Sequence, residues 1–498
     1  MKNIIYILAF LLSFSTFSQQ VAGNTPKFPE KLPQTRASFS GWVNNTTEPV
    51  YQVENDEDEF DANTQIIRVA DQDNVNFNSD ESITLDHTSI PTFQKANGTT
   101  YLRLGQNSAT WRWIDCADYS VVPFTYSQGE GRILSRVVAG RAYWYYANGI
   151  LYATERNMGT LTGGTTQTNL IDFRDPIGTT GLANVYTNMQ FSSAHFNFSN
   201  DDIAAMIGTT NGTDVWLCVV DLIGLFNNPN DGGTYVLHEM ELTWLDWANN
   251  YDVAEGLRWI KVNYDATRLV VGYFTDETQP TSGTNNRGIW SYPIGNVTVA
   301  AGIQLTSQRN HSTTAINEDG DSVLITNDFG WRGYQDATGT VWAANATTNA
   351  NTRYPYSVSE IRISDGVVTG LYWEDAVASR WGYASANNNE LLGYCSFSFS
   401  GSIAQAASGD AGLIGGLMPL DGGDHATLGG ENGAVFIPYG RIYNSQASGG
   451  AADELPHGNA SPDGSFMVWR ADYSSAGMNP VNITTATLSK IFKKRRTF

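Results

Sequence analysis

Six positions in the sequence share one local frame, and four of them are histidines. In each copy an anchor residue is followed by three residues, a turn rich in Ser, Asn, Asp or Gly, and an apolar strand. The copy at 311 carries two extra residues before its turn. Near pH 7 an imidazole can bind a divalent metal or transfer a proton. The six anchors are His195, Trp259, His311, Trp381, His425 and His457.

If the frame is a structural repeat, equivalent anchors converge on one end of a common channel. We therefore predict a site at the channel mouth, where a divalent metal (Mn, Ca or Zn) could bind to His311, His425 and His457. The alternative is architectural, because a recurring polar residue can simply hydrogen-bond the turn of the neighbouring unit.

Basic and phenolic side chains accompany the anchors. Arg258 and Arg380 each directly precede a Trp anchor, and Tyr264 follows one of them. Such groups could neutralise a substrate carboxylate or move a proton. The predicted catalytic residues are His195, His457, Arg258, Arg380 and Tyr264.

Aromatic residues in loop-like contexts form a second set. Exposed Trp and Tyr rings would stack on sugar rings, whereas buried rings would fill the space between sheets. The predicted substrate-binding residues are Trp259, Trp381, Trp331, Arg332 and Tyr334.

Short strands would have to position these residues. The chain contains 48 Gly, 14 Trp, 24 Tyr and 22 Phe, and β-rich runs alternate with turns such as Asn148-Gly149 and Asp365-Gly366. Most successive anchors are 44 to 70 residues apart, and a four-stranded propeller blade takes about 40–50 residues. We predict an all-β propeller with seven blades, six to eight being possible.

The copy at 457 has the sharpest turn signal. His457 precedes Ser461-Pro462-Asp463-Gly464, in which Pro462 presets the first turn position and Asp463-Gly464 favours a tight hairpin. This copy resembles the TolB-like repeat, in which His or another polar residue precedes such a turn. The resemblance implies a propeller of the kind found in periplasmic scaffolds, peptidase domains and oligogalacturonate lyases. It implies an architecture, because function depends on the site that a propeller carries.

Composition restricts the class of partner. The net charge of −21 disfavours nucleic acid as a partner, because nucleic acid is bound by basic surfaces.

Several common sequence signals are missing. No nucleophile elbow, zinc-protease motif or P-loop is present. No later stretch is apolar for long enough to predict a transmembrane segment. Three widely spaced cysteines, Cys116, Cys218 and Cys395, predict buried free thiols.

The first 18 residues predict a cleaved signal peptide. Lys2 precedes an apolar stretch at 4–12, and no Cys near the cleavage site would anchor a lipoprotein. We expect a secreted or periplasmic protein.

The rest of the chain is predicted to have three parts. They are an N-terminal region at 19–105 that could contribute to ring closure, the propeller at 106–488 and a basic tail at 489–498. The acidic run at 55–61 is either a solvated turn or a calcium loop.

These patterns favour a monomeric, exported propeller whose partner is an extracellular polysaccharide. The predicted function is recognition of a uronate-containing chain, with cleavage by β-elimination. Elimination needs a group that neutralises the uronate carboxylate, a base for the C5 proton and an acid for the leaving oxygen. Two alternatives stay open: a non-catalytic propeller that binds glycan or protein, and a glycoside hydrolase with paired carboxylates.

Overall fold

The structure is a computed structural model that describes parts of the chain between residues 64 and 491. The described residues are 64–71, 83–84, 93–96, 99–106, 110–118, 121–127, 133–134, 142–147, 149–155, 166–175, 180–191, 202–243, 257–273, 289–306, 312–317, 319–326, 334–335, 341–342, 358–372, 381–385, 394–400, 413–420, 437–442, 459–461, 466–471 and 485–491. The predicted signal peptide and the acidic run at 55–61 lie outside them.

Antiparallel sheets account for most of the described residues, and we number them sheets 1 to 7 in chain order. Sheet 1 contains β2 (Ile83–Thr84), β3 (Phe93–Ala96), β4 (Thr99–Gln106), β5 (Thr110–Asp115) and β6 (Val121–Ser127). Sheet 2 contains β7 (Ile133–Leu134), β8 (Ala142–Ala147), β9 (Ile150–Glu155) and β10 (Thr166–Asp172). Sheet 3 contains β11 (Asn188–Phe191), β12 (Ile203–Thr209), β13 (Trp216–Asp221) and β14 (Val236–Glu241).

The second half of the chain continues the pattern. Sheet 4 contains β15 (Leu257–Val262), β16 (Arg268–Tyr273), β17 (Ile289–Pro293) and β18 (Ile303–Thr306). Sheet 5 contains β19 (Ser312–Ile316), β20 (Ser322–Thr326), β23 (Val358–Arg362) and β24 (Val368–Tyr372), with the hairpin β21 (Tyr334–Gln335) and β22 (Val341–Trp342) inserted. Sheet 6 contains β25 (Trp381–Ser385), β26 (Tyr394–Ser400), β27 (Leu413–Pro419) and β28 (Ile437–Ile442).

Sheet 7 joins the two ends of the described chain. It contains β29 (Asn459–Ala460), β30 (Phe466–Ala471), β31 (Thr485–Ile491) and, as its fourth strand, β1 (Thr64–Asp71). β1 pairs antiparallel with β31, with Thr64 opposite Ile491 and Asp71 opposite Thr485. Residues 489–491 of the predicted basic tail therefore lie in a strand.

Consecutive four-stranded sheets closed by a strand from the opposite end of the chain form a ring that leaves only short edges. The fold is the all-β propeller that the sequence predicts. Seven sheets of four or five strands lie among the described residues, and the blade count of seven stays a prediction.

Sheet 3 shows how the sheets pack. Its central strands β12 and β13 are apolar at most positions, so that alternate residues bury against different neighbours. One apolar cluster joins sheet 3 to sheet 2, and a second joins it to sheet 4. The first cluster includes Leu151, Leu170, Ile171, Met206, Cys218 and Val220. The second cluster includes Ile207, Leu217, Val219, Ile260, Val262, Leu269 and Val271.

Two short helices, α1 (Leu222–Asn227) and α2 (Gly232–Tyr235), join β13 to β14. The Asp221 side chain caps α1 by accepting a hydrogen bond from the Gly224 amide at 2.7 Å. The Asn230 amide donates to the Leu170 carbonyl of β10 at 2.6 Å. Because β10 is the outermost strand of sheet 2, this segment covers a strand edge that would otherwise be open.

Within the described parts of the chain, no helix has the length and apolar character that a membrane span requires.

Candidate channel-mouth site

Every four-stranded sheet has two ends along the direction of its strands. We call the end where the first strand begins the start edge, and the end where the first hairpin turns the turn edge. Neither name refers to an outer strand of the sheet. A meander with an even number of strands finishes at the edge where it began. Only residues 307–311 separate β18 from β19, so the next first strand begins at the same edge. In a propeller the start edges of successive sheets therefore lie on one face.

In the copies at 259, 311 and 457 the repeated frame leads into the turn between the first and second strands of a sheet. In three copies the residue that opens the turn is buried, and its side-chain oxygen accepts a backbone N–H four or five residues later. The three pairs are Asn263 with Arg268 (2.8 Å), Asn317 with Asp321 (2.8 Å) and Ser461 with Phe466 (3.0 Å). The polar turn residues of the repeat thus cap the turn edge, a structural role that satisfies buried backbone groups.

Two anchors lie in described first strands. Trp259 is the third residue of β15, and Trp381 opens β25. Arg258 is the second residue of β15, and strand order assigns these three positions to the start edge. In the sequence, His311 directly precedes β19 and His457 comes two residues before β29, but both residues, like Arg380, lie outside the described residues.

A long connection leaves from the same edge. β20 runs from the turn edge back to the start edge, so residues 327–357, which join it to β23, begin and end there. This connection carries Trp331 and Arg332, which lie outside the described residues, and Tyr334 in β21. A connection of this length in a compact sheet is uncommon and often functional.

One described residue of the predicted set belongs to the opposite edge. Tyr264 directly follows the buried Asn263 in the turn between β15 and β16. A six-residue strand spans about 20 Å, so Tyr264 is remote from Arg258 along β15. His195 and His425 lie outside the described residues.

The predicted metal ligands His311, His425 and His457 all lie outside the described residues. Among the side chains that the structure describes, no three His, Cys, Asp or Glu residues form a group that could hold a metal ion. The divalent metal and its three ligands therefore stay a prediction.

One hydrogen-bonded group of buried side chains was not predicted from the sequence. The Tyr186 hydroxyl donates to Glu239 at 2.6 Å and lies 3.3 Å from the Cys218 thiol, which donates to it. Burial raises the pKa of Tyr186 far above its ordinary value, and Cys218 and Glu239 add to the rise. Burial likewise raises the pKa of the Cys218 thiol. Both groups therefore stay protonated, which suits packing between sheets 2 and 3 rather than nucleophilic catalysis.

The prediction of a buried free thiol is confirmed for Cys218, and Cys116 is likewise free and buried. The side chain of Cys395 lies outside the described set.

No family model matches this chain, and no curated protein matches it either. Solved structures do resemble it. An oligogalacturonate lyase from Vibrio parahaemolyticus has 8% identity and a TM-score of 0.47, covering 90% of this chain and 98% of that one. An oligogalacturonate lyase in complex with manganese has 11% identity and a TM-score of 0.45, with the same coverage of 90% and 98%.

TolB from Acinetobacter baumannii is a more distant neighbour. It has 8% identity and a TM-score of 0.30, covering 80% of this chain and 78% of that one. TolB and oligogalacturonate lyase are the two kinds of propeller that the copy at 457 resembles. The likeness concerns the fold.

Proposed function

We propose that this protein binds a uronate-containing extracellular polysaccharide at the start edge of its sheets and cleaves it by β-elimination. The proposal is supported by strand order, because Arg258, Trp259 and Trp381 lie in first strands, and the connection at 327–357 begins and ends at the start edge of sheet 5. Imidazole, guanidinium and aromatic side chains on one edge would supply proton transfer, carboxylate recognition and sugar stacking together.

In this scheme Arg258 and Arg380 bind the uronate carboxylate and stabilise the negative charge that develops on it. His457 removes the C5 proton, and the C5–H electron pair forms the C4–C5 double bond. The C4–O4 bond breaks, and the leaving oxygen takes its proton from His311. Trp259, Trp381 and the aromatic residues of the 327–357 connection would stack on neighbouring sugars. The scheme assigns no step to a metal.

The non-catalytic alternative has one specific observation in its favour. The buried turn residues Asn263, Asn317 and Ser461 show that part of the repeated frame serves architecture. If the anchor residues also have only a structural role, the start edge would bind a glycan without cleaving it.

The test is turnover of a panel of uronate polysaccharides, followed by the ultraviolet absorbance of the unsaturated product. We expect His457→Ala and Arg380→Ala to lower the rate by about 10²-fold or more, since acid–base and charge-stabilising groups each contribute that much. Tyr264→Phe, in the turn between β15 and β16, is the control at the turn edge and should keep the rate of the unmodified protein.

Three outcomes would count against elimination. No product from any substrate, with binding retained, would favour the non-catalytic propeller. New reducing ends without the unsaturated product would indicate hydrolysis. Equal losses in the His457 and Tyr264 variants would contradict the assignment of the site to the start edge.

A further inference from the structure

The seam between sheets 4 and 5 differs from the two seams before it. Apolar clusters join sheet 2 to sheet 3 and sheet 3 to sheet 4. On the face of sheet 4 turned toward sheet 5, polar side chains instead reach backbone carbonyls of sheet 5. The Lys261 Nζ donates to the Ser312 carbonyl at 2.6 Å, and the Ser291 hydroxyl donates to the Ile363 carbonyl at 2.8 Å.

Arg268 lies on the same face of sheet 4, at the turn edge. It opens β16 opposite Pro293, directly after the turn that Asn263 caps. Val270, two residues further along β16, pairs with Ser291. Because residues two apart in a strand share a face, Arg268 and Ser291 lie on one side of the sheet. The Arg268 side chain is partly buried, so its guanidinium lies at the turn-edge end of the seam.

Ser291 holds one side of this guanidinium. The Arg268 Nε donates to the Ser291 hydroxyl oxygen at 2.5 Å, and Nη2 lies 3.3 Å from the Ser291 carbonyl oxygen. Ser291 is 0% exposed and is itself held by its bond to Ile363. A guanidinium is planar and carries five N–H donors. The bonds to Ser291 occupy the side formed by Nε and Nη2, and they leave the fork formed by Nη1 and the second Nη2 hydrogen without a partner among the described residues.

No described carboxylate neutralises Arg268. It forms no ion pair within the described part of the chain, and burial lowers its pKa. Arg362, at the turn edge of sheet 5, shows the opposite arrangement. It pairs with Asp365 at 2.6 Å and Asp321 at 3.3 Å, and the bond to Asp365 raises its pKa. In a chain with 50 acidic residues and 29 basic ones, an oriented arginine without a carboxylate partner fits an anion that comes from outside the chain.

We propose that the open Nη1–Nη2 fork of Arg268 binds the carboxylate group of a ligand, at an anion site on the turn edge between sheets 4 and 5. A planar fork matches the two oxygens of a carboxylate, and its fixed orientation reduces the entropy lost on binding. The site is separate from the residues proposed to act at the start edge. Only the identity of its ligand, a uronate sugar, rests on the proposed function.

The experiment is an NMR titration of the full chain with isotope-labelled arginine. The probes are acetate, D-galacturonate and the neutral sugar D-galactose, at about 0.1 M ionic strength, where charges more than about 10 Å apart are largely screened. We expect the Arg268 Nε–H resonance, assigned by its loss in Arg268→Gln, to shift with acetate and with galacturonate. It should not shift with galactose, which carries no carboxylate.

The affinity of each variant is measured by saturation transfer to the protons of acetate. Arg268→Gln should weaken acetate binding by roughly 10-fold or more, since a hydrogen bond to a charged group contributes that much. Arg268→Lys keeps the charge but lacks the fork, so it should fall between the two, and it replaces Arg268→Gln if that variant does not fold. Arg362→Gln is the matched control. It removes the same charge from a guanidinium that Asp321 and Asp365 already occupy, and should keep the affinity.

Two results would overturn the site. One is an Arg268 resonance that neither acetate nor galacturonate shifts, and the other is an equal loss of affinity in Arg268→Gln and Arg362→Gln. Binding of acetate without binding of galacturonate would overturn the uronate as its ligand. If the unmodified protein cleaves no uronate polysaccharide, the proposed function fails, while the acetate titration still decides the role of Arg268.

Discussion

At the scale of single residues, one carboxylate organises the connection between β12 and β13. Asp214 accepts hydrogen bonds from the Thr209 hydroxyl at 2.6 Å, the Thr210 amide at 2.8 Å and the Trp216 indole at 2.8 Å. Burial raises the pKa of Asp214, but the bonds from Thr209, Thr210 and Trp216 outweigh it and hold the pKa below its ordinary value. Charge-assisted bonds of this kind favour the ionised form.

This lowered pKa makes the stability of the protein depend on pH. A carboxyl with a lower pKa in the folded state stabilises above its unfolded pKa of about 3.9, and the stabilisation is lost as the pH falls through the folded value. We expect Asp214→Asn to reduce stability at pH 7 by about 1 kcal/mol and to flatten the loss below about pH 4. Urea unfolding at a series of pH values measures both effects.

Asp231→Asn provides the control for this prediction. Asp231 is exposed and precedes α2 without a side-chain capping bond. Its substitution should leave the stability at pH 7 unchanged. An Asp214→Asn variant with the acid profile of the unmodified protein would contradict the role of Asp214.

At the scale of elements, the segment that contains α1 and α2 packs so closely at Gly232 that a larger side chain would not fit there. A Cβ added at Gly232 would lie 2.4 Å from the Ile171 Cδ1 and 2.7 Å from the Thr180 carbonyl oxygen. The helix must therefore approach the edge of sheet 2 through a residue without a side chain. This close contact brings the segment near enough for the Asn230 amide to reach the Leu170 carbonyl.

We expect Gly232→Ala to cost about 1–3 kcal/mol, because overpacking forces backbone shifts at this contact. The control is Gly212→Ala. Gly212 has a φ of +84° and no neighbouring atom within 4 Å of an added Cβ, so its cost is confined to backbone strain of about 1 kcal/mol. Thermal and urea unfolding of both variants measure the difference. Equal losses would show that strain, rather than contact, governs this segment.

At the scale of the whole molecule, the ring depends on the pairing of β1 with β31. These strands come from opposite ends of the described chain, and their register runs without a shift from Thr64 to Arg68. All other strands of sheets 1 to 7 pair within short stretches of sequence. The closing pair therefore joins the most distant parts of the chain, and its formation carries the largest loss of chain entropy.

A disulfide across this pair tests the closure. Ile67 lies opposite Leu488, so Ile67→Cys with Leu488→Cys should form an intramolecular bond on oxidation. The oxidised protein should gain about 2–4 kcal/mol, because the crosslink restricts the unfolded chain. The reduced double variant and each single variant are the controls. Failure to crosslink under mild oxidation would contradict the pairing of β1 with β31.

The sequence was most informative where a structure depends on neighbouring residues. Ser461, Pro462, Asp463 and Gly464 indicate a turn by their own conformational preferences, and the recurrence of such turns at blade-like intervals indicates a propeller. Trp259 and Trp381 both lie in first strands, as members of one repeated frame should, and the other anchors stay predictions. The same frame could not show that Asn263, Asn317 and Ser461 are buried caps, since burial depends on the adjacent sheets.

The sequence by itself determined the local repeat: short strands, tight turns and apolar runs long enough to be buried on both faces. Only the tertiary structure decided which edge each described position occupies, and so separated Tyr264 from Arg258 and Trp259. It alone paired Lys261 with Ser312, which lies 51 residues away. The physical reason is that strand and turn preferences act over a few residues, whereas the edges and seams of a propeller arise from contacts between sheets that are remote in sequence.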